Sequence, residues 1–307
     1  MTSRQVDFPR AGSGCPRRQR RAPLRAHLLP LLMLLLLAAA PASGTASAER
    51  LADCRQRLST APDTPVPVLS LPLRVGIWNV KKFQRPGSGQ MLERLARRSE
   101  LLLLQESLAD ADAGEHWRLF APGFSRGPLR SGVEIRAPVA ADLQCRLRFR
   151  EPWLRTPKAA AVARFNLRGM PPLLVINLHA VNFTLGSGDY RRQLKALGTL
   201  LTAHRGPALI GGDFNHWNAW RQRALQAFVT AHGLEPLALS PDWRSRHLGR
   251  AVDALLLRGL RAVAGSALPT RSSDHHPIIA TLLPPQRRAP AAAADSDAAA
   301  SVPAPGR

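Results

Sequence analysis

The sequence predicts a layered α/β sandwich, and three observations predict it. Short apolar runs of strand length recur through the middle of the chain, interleaved with a few stretches of helical period. Six of these runs end in, or contain, a polar residue, as if side chains were delivered to one edge of a sheet. Composition changes sharply at both ends, and the roughly 235 residues between, Glu49 to Leu283, suit a single large domain.

Residues 49–70 are polar and Pro-rich and read as a linker into the domain, which would span 71–283. Leu71 to Val80 alternates and carries β-branched residues, so it predicts a strand delivering Asn79 near its end. Gln90 to Ser99 is a short amphipathic helix. Leu101 to Glu106 is a buried strand ending in a carboxylate. Ser131 to Arg136, Leu143 to Arg150 and Ala159 to Leu167 read as strands, punctuated by Thr156-Pro157-Lys158. Leu173 to His179 is another apolar strand, with Asn177 and His179 two apart on one side. Asp189 to His204 is helix-like. Pro207 to Ile210 is a buried strand running into Gly211-Gly212-Asp213-Phe214-Asn215, where two glycines mark a close backbone approach. A helix follows from about Trp220 to His232. Ala251 to Arg258 is an apolar run broken by Asp253, and Arg271 to Pro277 leads into a last strand, Ile278 to Leu282.

Both ends carry their own signals. Arg17 to Arg21 and Arg25 are basic, Leu28 to Ala40 is almost wholly apolar, and Ala46-Ser47-Ala48 is a small-x-small site. That order predicts a secretory signal peptide over residues 1–48, with an uncleaved membrane anchor as the alternative. The expected location is periplasmic or secreted. Pro284 to Arg307 is Ala, Pro and Ser, the composition of a disordered tail. Cys54 and Cys145 remain after removal of the leader, and in an oxidising compartment they can pair. The net charge is +22, of which residues 49–283 carry +15. Such an excess favours anionic partners: nucleic acid, or an anionic membrane or envelope surface. The same charge arises from 39 Arg against 4 Lys in an Ala-, Leu- and Pro-rich chain, a pattern that codon bias alone produces.

The polar strand tips point to hydrolytic chemistry. A buried unpaired carboxylate costs several kcal/mol, so Asp253, set between Val252 and Ala254, needs a partner, and a histidine is the natural one. Asp213 and Asn215, side by side at a strand end, can orient a water or hold a hard cation, or simply form an Asx turn.

Trp78-Asn79, Gln105-Glu106, Asn177-Leu178-His179, Gly212-Asp213-Phe214-Asn215 and Ser273-Asp274-His275, in that order, resemble the endonuclease/exonuclease/phosphatase family over about residues 72–283. Trp153 to Ala159 and His179 to Phe183 add a likeness to its bacterial YafD-type branch. The resemblance implies a four-layer αββα sandwich of the DNase I-like kind and Mg²⁺- or Mn²⁺-dependent hydrolysis of a phosphate ester. It implies Glu106 as main metal ligand with Asn79 beside it, and Asp274 on a second cation or its water. Asp213 would orient or deprotonate the attacking water and Asn215 would support it. His179 would donate to a non-bridging oxygen, and His275, held by Asp253, would act as base or stabilise charge. The base stays open between Asp213 and His275. Lys158 either reaches phosphate or is a solvated loop charge. Trp217, Trp220 and Trp243 are expected to pack rather than stack on substrate. The expected enzyme is a monomeric nuclease, with a phospholipid or sugar-phosphate phosphodiesterase as the alternative; a non-catalytic binding module would lack one of these polar residues, and none is missing.

Overall fold

The computed structural model describes residues 48–60, 67–151, 156–184 and 186–286. The expected leader, nearly all of the tail and Trp153 to Arg155 lie outside them. In chain order the elements are α1 (Ala48–Leu58), β1 (Val68–Leu69), β2 (Leu73–Asn79), α2 (Ser88–Ala96), β3 (Leu101–Leu108), β4 (Trp117–Arg126), β5 (Leu129–Ala137), β6 (Leu143–Arg150), β7 (Pro157–Leu167), β8 (Met170–His179), α3 (Gly188–Ala203), β9 (Ala208–Asp213), α4 (Ala219–Ala231), β10 (Glu235–Pro236), β11 (Arg246–His247), β12 (Arg250–Ala251), β13 (Asp253–Arg258), β14 (Arg261–Ala267) and β15 (Ile278–Leu283).

Two mixed sheets hold most of the strands. One runs β1-β7-β8-β9-β13-β10, with β6 also paired to β7; the other runs β14-β15-β2-β3-β5-β4. Strand alternation then builds four layers. Val75, Ile77, Leu101 and Leu103 of one sheet meet Ala161, Ala163, Val175 and Leu209 of the other in a central core. The intervening residues point outward. Trp78, Leu102 and Leu104 pack under α2 through Leu95. Leu174, Ile176 and Ile210 pack under α3 and α4 through Leu197, Leu200 and Phe228. Both faces of each central strand are thus buried, which is why these strands read as continuous apolar runs. The αββα sandwich is the fold that the sequence predicts.

Three differences from the sequence reading have physical causes. Within the stretch expected to be a linker, Ala48–Leu58 is a helix. Its Cys54 and Leu58 are buried against Leu143, Leu147 and Phe149, and a disulfide joins Cys54 to Cys145 of β6, Cα to Cα 6.0 Å. Leu51, Cys54 and Leu58 do form a helical stripe, but two arginines and a sparse apolar content dilute it. Strand β4 escaped notice because Pro122 and Gly123 interrupt it. It lies at a sheet edge, where a missing N–H is tolerated, and the pairing with β5 shifts register there. Strand β14 is the opposite edge and is weakly apolar. No helix among the described residues is long and apolar enough to cross a membrane.

Candidate active site

Strand direction brings the polar tips to one end of the sandwich. β8 and β9 are parallel and β13 is antiparallel to β9. The C-terminal residues His179 and Asp213 and the N-terminal residue Asp253 therefore stand in one row, His179 opposite Asp213 and Asp213 opposite Asp253. In the other sheet β2 and β3 are parallel with Asn79 opposite Gln105, and the loop before β15 returns to the same end. Ser273 Oγ donates to Asn79 O at 2.7 Å, and Trp78 Nε1 donates to His275 O at 2.9 Å. The Ser273 to His275 loop is thereby fastened to the tip of β2.

The glycines explain how β9 reaches the site. Gly212 has φ +143°, and a Cβ there would lie 2.0 Å from the Leu178 carbonyl oxygen. At Gly211 a Cβ would lie 2.7 Å from Ile77 and Leu103 of the facing sheet. The close approach expected from the sequence is to the neighbouring strand and the opposite sheet. Asp213 then splits its two oxygens. Oδ1 accepts the Asn215 N–H at 3.0 Å, an Asx turn with Asn215 at φ +47°. Oδ2 accepts from Asn79 Nδ2 at 3.3 Å and faces His179 Nε2 at 3.4 Å and His275 Nε2 at 3.9 Å. Asn215 Nδ2 donates back to Ala180 O at 3.0 Å. One Asp213 oxygen thus makes the Asx turn, and the other faces His179 and His275.

The two histidines are opposite in charge. His275 Nδ1 lies 2.8 Å and 3.0 Å from the two oxygens of Asp253. Burial opposes its charged form, but Asp253 above all, then Asp213 and Asp274, outweigh burial and push the ring up to about 10. At neutral pH it is an imidazolium. His179 is held well below the usual imidazole range, by burial first and by the Lys158 ammonium second. Its Nε2 is 2.8 Å from Lys158 Nζ, and a protonated amine has no acceptor, so Nε2 accepts and Nδ1 carries the proton. That nitrogen of His179, expected to donate to the phosphate, stands between Lys158 Nζ and Asp213 Oδ2.

The residues expected to hold metal each meet Lys81 or Lys82. Asn79 Oδ1 accepts the Lys81 N–H at 3.1 Å. Asp274 Oδ2 accepts from Lys81 Nζ at 2.6 Å. Glu106 Oε2 is paired with Lys82 Nζ. Glu106 sits at a bulge: the register of β3 on β5 shifts between Gln105 and Ser107, and its own φ is +52°. The bulge re-aims a side chain that regular alternation would send under α2. Among the described residues, the only group of three or more His, Cys, Asp or Glu ligand atoms within 4.8 Å of one another is Asp213, Asp253 and His275. Within that group His275 Nδ1 is hydrogen-bonded to Asp253, and His275 Nε2 stands 3.9 Å from Asp213 Oδ2. The largely buried carboxylate of Glu106, with the amide oxygen of Asn79 and the carboxylate of Asp274, offers the hard oxygens that suit Mg²⁺ or Mn²⁺.

Glu106, Lys82, Lys158, His179 and Phe183 line one cleft of about 240 Å³. Sequence reasoning missed four contributors. Lys81 and Lys82 follow the Trp78-Asn79 motif directly. Glu151 accepts the N–H groups of Asn182 and Phe183 and fixes the loop at the cleft mouth. Buried Arg221 donates to the carbonyls of Val181, Asn182 and Asn215, tying the loops after β8 and β9 together. One signal for the lysines was available: three of only 4 Lys in the chain, Lys81, Lys82 and Lys158, stand at this site. The tryptophans divide. Trp217 packs, its Nε1 donating to Asn182 at 2.8 Å. Trp220 and Trp243, expected to pack, are 67% and 55% exposed; Trp220 lies off the buried face of α4, which carries Arg221, Leu225 and Phe228.

A two-sheet sandwich with carboxylates, amides and histidines gathered at one end defines a phosphoesterase class. The chain belongs to the endonuclease/exonuclease/phosphatase family, whose model matches residues 76–275. It is 40% identical over 226 residues to a UPF0294 protein of Yersinia pseudotuberculosis, covering 72% of this chain and 86% of that one. By structure it is similar to an endonuclease/exonuclease/phosphatase of Beutenbergia cavernae, TM-score 0.54 at 15% identity over 69% of this chain and 71% of the other. It is also similar to the human Nocturnin catalytic domain, whose structure holds a sulfate anion, TM-score 0.52 at 16% identity over 72% and 97%.

Proposed function

We propose that this chain hydrolyses a phosphodiester with a divalent cation, Mg²⁺ or Mn²⁺, and that nucleic acid is the substrate class. The observation that carries the reading is Asp213 Oδ2, buried between the His275–Asp253 pair and His179, which itself lines the cleft. Glu106 with Asn79 and Asp274 would hold the ion, which would supply neutralisation of the phosphate and of charge on the leaving oxygen. The protein supplies the rest. Asp213, with one oxygen fixed by its Asx turn, aims the water and takes its proton. Against burial, Asp253 and Asp213 push the His275 ring up, which supports Asp213 as the base. The imidazolium of His275, anchored by Asp253, meets the negative charge that develops on phosphate, and Lys158 does the same from beside His179.

The basic core favours nucleic acid. Phosphodiesters of lipids or sugars are the second reading, and Phe183, 57% exposed at the cleft mouth, is the feature that serves either. A single exposed ring stacks on a base or sugar more readily than it anchors a bilayer. The Cys54–Cys145 disulfide supports export through the N-terminal leader; N-terminal sequencing of the mature protein tests it. Plasmid DNA, RNA, sphingomyelin and bis-p-nitrophenyl phosphate, each with and without EDTA, test the activity. EDTA-sensitive cleavage of the nucleic acids, reduced ~10²–10³-fold or more in Asp213→Asn, is expected. Cleavage insensitive to EDTA, or an Asp213→Asn protein as active as the parent, would overturn the reading.

A further inference from the structure

Lys81, Lys82 and Phe83 have φ of +49°, +57° and +56°. Three successive left-handed residues other than glycine are rare, and each costs roughly 1–2 kcal/mol. Phe83 packs into the cluster under α2, which accounts for one of the three. The two lysines have no such packing. What the turn accomplishes is to place both ammonium groups on carboxylates of the site, Lys81 on Asp274 and Lys82 on Glu106. The Lys82–Glu106 pair is about four-fifths buried on both sides, 22% and 21% exposed, unlike a loose surface pair. Glu106 is itself left-handed at its bulge, so strained backbone from two strands converges on one ion pair. Composition gives an independent reason to look here. With 39 Arg and 4 Lys, a lysine at this place is an exception, and a compact point charge that leaves readily differs from a guanidinium that grips a carboxylate with two parallel bonds.

We propose that Lys82 is a displaceable counter-cation: its ammonium competes with a divalent cation for Glu106, and ion binding there turns Lys82 toward the phosphate in the same cleft. The proposal rests on the reading of Glu106 as an ion ligand. Ion and lysine cannot both own the same carboxylate oxygen, so the ion's affinity is lowered by whatever the pair contributes. In return the cleft gains a cation beside Lys158 once a phosphate is to be bound. Lys82 lines that cleft together with Glu106, Lys158 and His179, so the move is a side-chain rotation and needs no rearrangement of the strands.

Mn²⁺ binding to substrate-free protein, followed by calorimetry or by the paramagnetic signal of the free ion, tests the competition. Lys82→Met is expected to bind Mn²⁺ roughly tenfold more tightly than the parent, within the usual range of couplings between two sites. Lys82→Arg, which keeps the charge and grips harder, is expected to bind it no more tightly than the parent. With Mn²⁺ saturating, inorganic phosphate is expected to bind Lys82→Met more weakly than the parent. Unchanged or weaker Mn²⁺ binding in a folded Lys82→Met protein, by circular dichroism, would overturn the competition; unchanged phosphate binding would overturn the second role. Glu106→Gln separates this from the underlying reading. If Glu106→Gln binds Mn²⁺ as the parent does, the ion sits elsewhere and the ligand assignment falls first.

Discussion

Asp253 is a buried carboxylate whose partner is 22 residues away in sequence and adjacent in space. Its pairing with His275 makes a prediction with a definite sign. The ring is pushed up to about 10 in the folded protein and titrates near 6.5 when unfolded. The folded state therefore holds the proton more tightly, and the stability so gained is complete below about pH 6.5 and is lost as pH rises toward about 10. The unfolding free energy of the parent, measured against that of Asp253→Asn, is expected to narrow across that window; a constant difference from pH 6 to 10 would count against the charged pair. Catalytically the two residues act as a unit. His275→Ala and Asp253→Ala are each expected to lower kcat, and the double variant is expected to lose far less than the product of the two losses. Residue chemistry showed that Asp253 needs a partner, because a carboxylate inside an apolar run demands a cation or donor; the family resemblance pointed to His275. The state of His179 was not, because it depends on Lys158 approaching from β7, the strand next to β8.

At the scale of elements, β9 is where backbone geometry and chemistry meet. Gly212→Ala would set a methyl group 2.0 Å from the Leu178 carbonyl in a conformation that L-residues avoid. It is expected to destabilise the fold by more than about 3 kcal/mol, or to prevent folding, because the nearby atom is backbone and cannot step aside; denaturant unfolding or soluble yield reports it. The helix α1 is the contrasting case. It is held by a short stripe and by the disulfide to β6, which closes a loop of 91 residues. Reduction, or Cys54→Ser with Cys145→Ser, is expected to remove about 2–4 kcal/mol. For a domain of this size that lowers Tm by roughly 5–15 °C. A Tm unmoved by reductant would mean that packing of α1 alone suffices. Strands buried on both faces were plain in the sequence, since apolar runs are unambiguous. Edge strands β4 and β14 were not, since an edge tolerates Pro, Gly and polar residues that interrupt the pattern.

For the whole molecule the dominant property is charge. With +15 in residues 49–283, binding to nucleic acid is expected to weaken steeply with salt, each phosphate neutralised adding about 0.9 to the slope of log K against log salt for duplex DNA. Fluorescence anisotropy with a labelled duplex between 50 and 200 mM salt, the range over which about 10³-fold losses are usual for several contacts, measures it. A flat response would assign the basic excess to composition alone and favour a neutral-headgroup substrate.

The sequence by itself determined which strands are buried, in what order the polar tips occur, and that Asp253 needs a partner. Periodicity and the cost of burying charge are local properties, and each can be read without knowing what lies across the fold. Only the tertiary structure decided how those tips use their atoms: that Asp213 divides its oxygens between a turn and the two histidines, that His179 is pushed down while His275 is pushed up, and that two lysines on a left-handed turn take Glu106 and Asp274. These depend on distances between strands in two different sheets. A pKa or a competition between cations is set by such distances and by burial, which no one-dimensional pattern records.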